Sequence, residues 1–321
     1  MKPYPLRTKP FFRDYIWGGR KLGTVLGKEI PSEGDWAESW EFVDHAEHQS
    51  VVTNGPLAGQ TVREIAQHSH DWLFGCHSIK RLPLLLKYLD CNRVLSVQVH
   101  PDDAYAEQMD TPDLGKTEAW YIVDAEPGSV LYAGLKQGVT KADLRAAVEA
   151  GRVEETLHEI QPQAGDCLFI PAGTVHALGA GLLVAEIQQA SNTTFRLFDW
   201  NRLGADGKPR PLHVDQALEV IDFAAGPQNL QVSDRTAGAE VLVDCDKFIL
   251  TRHQGSATLT PTGSFRLLTA PHGGVEITWD ADGPQSEKLG RGESVMLPAA
   301  MPDVQVELQS GAVLLEMSPP V

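Results

Sequence analysis

Short β-like runs, divided by Gly, Pro and Asp turns, recur along most of this chain. Strands that are this short and this closely spaced are typical of a β-sandwich or a jelly-roll barrel. The expected fold class is therefore mainly β. The runs are SWEFVDH (39–45), QSVVTNG (49–55), VLSVQVH (94–100), EAWYIVD (118–124), SVLYAGL (129–135), CLFIPAG (167–173) and LLVAEIQQ (182–189).

Helical patterns interrupt the strands at 61–75, 140–151 and 213–224. The second is the clearest, because Thr140 suits an N-cap, Asp143 follows at the third helical position and Gly151 suits a C-cap. A β-rich segment resumes near residue 238, after the linker-like stretch 224–232. We therefore expect two domains, a catalytic one over 1–225 with short helical segments and a smaller β domain over 232–321.

Composition narrows the class of partner. The chain has 321 residues, 42% of them hydrophobic, and a formal net charge of −16. That charge argues against nucleic acid or an anionic membrane as partner, although a few local cations can still bind an anionic small molecule. The N-terminus lacks the apolar segment of a signal peptide, and no run is long enough for a membrane span, so we expect a cytoplasmic protein. Its four Cys are too scattered to predict a disulfide framework or a thiolate metal site.

One motif occurs twice. GDCLFIPAGTVH (165–176) has the form G-x5-P-x-G-x2-H, and GESVMLPAAMPD (292–303) repeats its Gly and Pro spacing. In the first copy Pro171 ends the strand pairing, Gly173 permits a tight return, and His176 leaves on the returning strand. The second copy has Asp303 in place of that His. We expect the first copy to function and the second to be structural.

The run VLSVQVHPDD (94–103) has two different faces. Side chains alternate along a strand, so Leu95, Val97 and Val99 share one face while Ser96, Gln98 and His100 share the other. A single His on a strand is more often a surface or core residue than a ligand. The strand alone therefore does not decide whether its polar face is exposed to solvent or faces a pocket.

The hairpin motif is the second of the two motifs of the cupin superfamily. Together with LSVQVHPDD (95–103), GKTEAWYI (115–122) and EIQQASNTTFRLFDWNR (186–202), it makes the chain resemble type I phosphomannose isomerases along nearly its whole length. The resemblance implies two cupin (jelly-roll) β-barrel domains with small helical insertions. Gln98 in place of the usual first His, and the long gap from His100 to Glu118, depart from the general cupin pattern but match this branch.

The resemblance also implies one zinc ion per chain, bound by Gln98, His100, Glu118 and His176. Two imidazoles, a carboxylate and an amide oxygen suit Zn²⁺ in a catalytic site with an exchangeable position. Because no thiolate is involved, Fe²⁺, Mn²⁺ and Co²⁺ stay possible. The other histidines are given no role, and His68 and His70 are expected in a polar loop after a helix.

The implied reaction is the reversible isomerisation of mannose 6-phosphate and fructose 6-phosphate through a cis-enediol. It requires a base, a group that stabilises the oxyanion, and a cationic subsite for phosphate. We assign the base to Glu186, which the resemblance points into the barrel, and expect burial to raise its pKa toward neutrality. The alternative is a structural carboxylate that pairs with Arg196.

Five further residues are predicted around the substrate. Arg196 suits an anchor for the enediolate or the phosphate, because a guanidinium binds such groups through two parallel hydrogen bonds. Lys116 is expected to bind phosphate or to move a proton at O1 and O2, and Ser96 to hydrogen-bond the substrate. Asp199 and Trp200 are expected in the pocket wall.

Two other functions compete with the isomerase. The first is an Fe²⁺-dependent dioxygenase, but a two-His, one-carboxylate iron site has no need of Gln98. The second is a non-catalytic sugar-binding protein with two cupin domains, but the first copy keeps its full ligand set and its base. The sequence leaves the oligomeric state open.

Overall fold

The computed structural model describes residues 1–46, 48–75, 79–204, 207–236 and 238–320. The strands of the first half are β1 Phe11–Arg13, β2 Glu38–Phe42, β3 Asp44–His45, β4 His48–Gln49, β5 Leu84–Cys91, β6 Val97–Val99, β7 Glu118–Ala125, β8 Leu131–Leu135, β9 Leu157–Ile160, β10 Cys167–Ile170, β11 His176–Leu178, β12 Leu182–Gln189 and β13 Phe195–Phe198. Those of the second half are β14 Ala239–Asp244, β15 Ile249–His253, β16 Ala257–Leu259, β17 Arg266–His272, β18 Val275–Asp280, β19 Pro284–Leu289, β20 Ser294–Leu297, β21 Val304–Leu308 and β22 Val313–Ser318. The helices are α1 Lys21–Thr24, α2 Val62–His68, α3 His70–Phe74, α4 Asp103–Ala106, α5 Lys141–Ala150 and α6 Val214–Val220.

Each half contains two antiparallel sheets. In the first half a six-stranded sheet has the order β1-β2-β5-β12-β7-β10, a five-stranded sheet has the order β13-β6-β11-β8-β9, and β3 pairs with β4 alone. In the second half the orders are β14-β15-β22-β17-β20 and β16-β21-β18-β19. The mainly β class with small helices is confirmed. Among the described residues no strand is shared between sheets, so hydrogen bonding leaves the sheets open instead of closing a barrel.

The two copies of the repeated motif form the same connection. In the first copy β10 lies at the edge of the six-stranded sheet, and the chain then crosses to β11 in the partner sheet. In the second copy β20 lies at the edge of its five-stranded sheet, and the chain crosses to β21 in the four-stranded sheet. His176 opens β11 in the first copy, whereas the matching Asp303 is exposed just before β21.

The helix predicted over 61–75 is two helices. Ser69, between α2 and α3, has φ −143° and ψ 45°, which interrupts the helical backbone. The expectation of a polar loop at His68 and His70 is therefore wrong, because the first ends α2 and the second begins α3. Thr140 and Asp143 form the predicted capping box of α5, and Gly151 ends that helix with φ +66°.

The strand predicted over 49–55 is largely absent. Only Gln49 belongs to a strand, Val51 and Val52 form isolated bridges, and a 3₁₀ turn follows at Gly55–Leu57. The strand predicted over 182–189 has the predicted bounds, and the one predicted over 118–124 extends to Ala125. The strand predicted over 39–45 is divided into β2 and β3, and the other predicted strands are present but shorter. Of the cysteines, Cys91, Cys167 and Cys245 are free, and Cys76 lies outside the described residues. Within the described ranges no helix has the length and apolar character that a membrane crossing needs.

The three central strands of the six-stranded sheet, β5, β7 and β12, are buried on both faces. Leu86, Tyr121 and Ile187 belong to one apolar cluster with Leu267 and Leu315 of the second half. The alternate residues of the same strands point the other way, toward the interior of the first half. The second half thus covers the back of the sheet whose front carries the predicted site.

We predict that Leu267→Ala lowers the free energy of unfolding of the whole chain by about 2–5 kcal/mol, because Leu267 is fully buried in this shared core. Urea unfolding followed by tryptophan fluorescence measures the change. Val241→Ala, in an exposed position of β14, is the matched control and should change stability by only about 0.5 kcal/mol. Similar effects from the two variants would contradict the role given to this core.

Candidate active site and metal centre

The structure brings the four predicted ligands together at the ends of three strands. Gln98 on β6 lies opposite His176 on β11, and their side-chain Nε2 atoms are 3.2 Å apart. Nε2 of His176 lies 3.4 Å from Oε1 of Glu118, at the start of β7. Nε2 of His100, just after β6, lies 3.6 Å from Oε2 of the same carboxylate. The motif loop contributes directly, since Gly173 N donates to His100 O at 2.9 Å.

Both imidazoles are oriented from behind. Nδ1 of His100 lies 2.9 Å from the carbonyl oxygen of Thr193, and Nδ1 of His176 lies 2.9 Å from that of Thr174. A carbonyl can only accept, so each Nδ1 carries the proton and each Nε2 turns its lone pair toward the cluster.

Burial keeps both rings neutral, as metal ligands must be. Together with the nearby Lys116 it holds the pKa of His100 well below its usual value. Burial lowers the pKa of His176 to about 4. Neither ring needs to lose a proton at neutral pH before it can bind a divalent cation.

Glu118 supplies the test of whether a metal fits. Its side chain is 1% exposed, Oε2 forms an ion pair with Lys116 Nζ at 2.9 Å, and Oε1 has no hydrogen-bond partner among the described residues. Burial and the neighbouring Glu186 raise the pKa of Glu118 to about 7. One ligand atom from each of His100, Glu118 and His176 lies within 4.8 Å of the others, and a flip of the Gln98 amide would add an oxygen. These donors fit a divalent cation such as Zn²⁺.

Glu186 lies beside this cluster on β12, and its surroundings differ from those expected. Oε1 is 2.9 Å from Lys87 Nζ and 3.9 Å from Lys116 Nζ, and Oε2 accepts a hydrogen bond from Trp120 Nε1 at 3.0 Å. Burial alone would raise the pKa of Glu186, but the two lysines together lower it below its usual value. The prediction of a raised pKa is therefore wrong. The alternative pairing with Arg196 is also wrong, because Lys87 takes that place.

Lys116 occupies the centre of the site. Its Nζ lies 3.0 Å from His100 Nε2 and 2.9 Å from Glu118 Oε2, so it stands between the ligand cluster and Glu186. Its side chain is 6% exposed. An ammonium group in this position can reach both an oxygen of a molecule bound in the cavity and the carboxylate that would act as base.

A cavity of about 310 Å³ opens over this group. His100 and Glu118 lie beneath the floor of this cavity. Six of the predicted residues line it: Ser96, Gln98, Lys116, His176, Glu186 and Arg196. The sequence analysis missed other lining residues, among them Tyr15, Trp17, Glu38, Lys87, Asn192, Thr194 and Arg210. Lys87 had a visible signal, since it is the only charge in the apolar run LPLLLKYL (82–89).

Asp199 and Trp200 do not line the cavity as expected. The Asp199 carboxylate accepts from Arg210 Nε at 2.7 Å and Nη2 at 2.6 Å, a bidentate pair that fixes Arg210 at the cavity wall. Trp200 Nε1 donates to the carbonyl of Leu95 at 2.7 Å. Both side chains therefore support the cavity wall from outside the cavity.

Arg196 donates from Nη1 to Pro211 O at 2.8 Å, and its buried Nε has no hydrogen-bond partner among the described residues.

A jelly-roll half that holds two histidines and a carboxylate under a polar cavity defines the class of metal-dependent cupin enzymes. The comparisons refine that class. The model of the phosphomannose isomerase type I catalytic domain matches residues 6–128. The chain is 37% identical over 314 residues to the mannose-6-phosphate isomerase ManA of Bacillus subtilis, covering 96% of this chain and 97% of that one.

A second relative and a solved structure agree. The mannose-6-phosphate isomerase of Streptococcus mutans is 36% identical over 299 residues, 92% of each chain. The crystal structure of the mannose 6-phosphate isomerase from Bacillus subtilis superimposes with a TM-score of 0.89 at 31% identity, over 98% of this chain and 99% of that one. This chain belongs to the type I phosphomannose isomerase family, and its fold is the cupin-type fold of that family.

We predict that the metal-free chain binds one Zn²⁺, with stabilisation of about 2.7 kcal/mol when free zinc exceeds the dissociation constant 100-fold. Metal content by elemental analysis and urea midpoints with and without zinc check this. His176→Ala should remove both effects, whereas the same change at the partly exposed His158 should leave them intact. Two metal ions per chain would mean that the second half binds one as well.

Proposed function

We propose that this chain interconverts mannose 6-phosphate and fructose 6-phosphate, using one divalent metal ion, preferably zinc, held by Gln98, His100, Glu118 and His176. The observation that carries the proposal is the cavity that lies over the ligand cluster and is lined by the Glu186 carboxylate and two lysines. When bound, zinc supplies Lewis-acid polarisation of the sugar oxygens near C1 and C2. Fe²⁺, Mn²⁺ and Co²⁺ are alternatives that suit the same donors.

Glu186 is assigned as the base. It takes the proton from C2 of the open-chain aldose, which leaves an enediolate, and returns the proton to C1 to give the ketose. Its lowered pKa keeps it ionised at neutral pH, and burial excludes the water that would otherwise exchange with the proton it carries. Lys87 holds the carboxylate at 2.9 Å and Trp120 fixes its second oxygen, so the base is oriented before substrate binds.

Lys116 is assigned to the oxygens. The net change at O1 and O2 moves one proton from the C2 hydroxyl to the C1 oxygen, and an ammonium beside both can donate and recover it. Its charge also stabilises the enediolate. Ser96 lines the same cavity and is assigned a hydrogen bond to the sugar.

We assign phosphate binding to two arginines in the wall of the cavity. Arg196 and Arg210 both line the cavity, and the bidentate contact from Asp199 holds Arg210 in a fixed orientation. Guanidinium groups match the geometry of a phosphate. This supports a sugar phosphate as partner, with neither nucleic acid nor membrane involved, and a cytoplasmic location stays a prediction.

The two competing functions gain less support. An Fe²⁺-dependent dioxygenase has no use for a cavity lined by both an arginine pair and a lysine–carboxylate pair. A sugar-binding protein without catalysis would not need a buried base whose ionised form is maintained by two lysines. We also propose that the catalytic unit is 1–225 and that 232–321 is a structural cupin-like domain, as the exposed Asp303 suggests.

We predict that the chain converts mannose 6-phosphate, that this activity disappears on chelation, and that it returns when Zn²⁺ is added. A coupled assay that detects fructose 6-phosphate measures the activity. In the zinc-loaded enzyme Glu186→Gln should lower kcat by about 10²- to 10⁴-fold, because the base is lost, while the zinc content stays at one. Glu149→Gln, on the exposed face of α5, is the control. No turnover in any metal state would refute the substrate, and full activity of Glu186→Gln would refute the base.

We predict that Arg210→Met raises KM for the sugar phosphate by about 10- to 100-fold with a smaller change in kcat, because a charged hydrogen-bond partner of the phosphate is lost. Steady-state kinetics give both constants. The exposed Arg152 provides the matched Arg→Met control. An unchanged KM would place the phosphate elsewhere in the cavity.

A further inference from the structure

The connection 101–117, between His100 and Glu118, contains a half-buried carboxylate that the reaction does not use. Asp113 is only 12% exposed through its side chain. Its oxygens lie 3.1 Å and 3.2 Å from Nε2 of His45, at the end of β3, and Oδ1 also accepts from the backbone N of Leu114 at 2.8 Å. The long connection is therefore tied to the small β3–β4 sheet through Asp113.

The same carboxylate also accepts hydrogen bonds from the turn 191–193, which follows β12. Oδ2 accepts hydrogen bonds from Ser191 Oγ at 3.0 Å, from Thr193 Oγ1 at 3.0 Å and from Asn192 N at 3.4 Å. Three consecutive residues thus converge on one oxygen atom. The His45 contact and these hydrogen bonds lower the pKa of Asp113 despite its burial, so the carboxylate is ionised at neutral pH and only accepts.

The turn 191–193 orients His100, one of the predicted metal ligands. The carbonyl of Thr193, the residue whose hydroxyl is bound by Asp113, is the acceptor for His100 Nδ1 at 2.9 Å. The position of this carbonyl decides the tautomer and the ring orientation of His100. Asn192 and Thr194, on the same turn, face the substrate cavity.

We propose that Asp113 is a positioning residue, which holds the 191–193 turn so that the Thr193 carbonyl directs Nε2 of His100 into the metal site. The inference rests on the proposed metal-dependent function and extends it to a residue that touches neither metal nor substrate. When the hydrogen-bond partners that orient metal-binding histidines are removed, the metal affinity of the site typically falls about 10- to 100-fold.

The test compares Asp113→Asn with Asp110→Asn, an equal change at an exposed position of the same connection. Asn keeps the size of the side chain, but only one of its two polar atoms can accept, so an amide N–H₂ must face either the donors of the 191–193 turn or the backbone N–H of Leu114. Zn²⁺ affinity of the metal-stripped chains is measured by competition with a chromophoric chelator. We expect at least tenfold weaker binding for Asp113→Asn, no change for Asp110→Asn, and recovery of most of the lost activity of Asp113→Asn at saturating zinc.

Thr193→Val gives a second test should Asp113→Asn fail to fold. It removes the hydroxyl that Asp113 accepts from but keeps the carbonyl that orients His100, and we expect zinc affinity to fall about two- to tenfold. A folded Asp113→Asn chain, or Thr193→Val, with wild-type zinc affinity overturns the inference alone. A wild-type chain that binds no divalent metal overturns the proposed function and this inference with it.

Discussion

The site depends on the two-sided burial of β5, β7 and β12. Because side chains alternate along a strand, Lys87, Glu118 and Glu186 point inward while their neighbours pack on the second half of the chain. A strand covered on both faces has little freedom to shift, since a slip by one residue would exchange every charge for an apolar group. The spacing between the charged groups is thereby set by the core and not by the charges themselves.

Charge balance explains why such a site calls for a metal. Three carboxylates (Glu38, Glu118 and Glu186) face two ammonium groups (Lys87 and Lys116), with contacts of 2.9–3.9 Å between opposite charges. In a medium of low dielectric constant the uncompensated negative charge is costly. Burial and the neighbouring Glu186 raise the pKa of Glu118 to about 7, so without a metal this carboxylate takes up a proton near neutral pH. A divalent cation relieves the negative charge without a proton and leaves the carboxylate free to bind.

The resemblance to the family predicted most of this centre, and local rules account for part of it. Strand alternation places Gln98 and His100 on one face, and the Gly–Pro–Gly spacing returns His176 to them. The pKa of Glu186 could not be predicted in the same way, because its dominant partner Lys87 comes from a neighbouring strand whose register is a tertiary property. Arg210 was missed for a similar reason, since Asp199, before an irregular loop, orients it toward the cavity. The break of the helix at Ser69 likewise follows from packing, since no Gly or Pro marks it.

The second half of the chain shares the two-sheet architecture of the first but has a different interior. Its motif still crosses between two sheets, yet Asp303 is exposed and the space between its sheets is filled by an apolar core that includes Leu268, Ile277 and Val306. A filled interior has no room for a ligand, but it makes a rigid body whose outer sheet can support another sheet. The loss of one histidine and the gain of a supporting face are thus complementary. The first half can devote one face of its central strands to charge because the second half supplies the apolar contacts for the other.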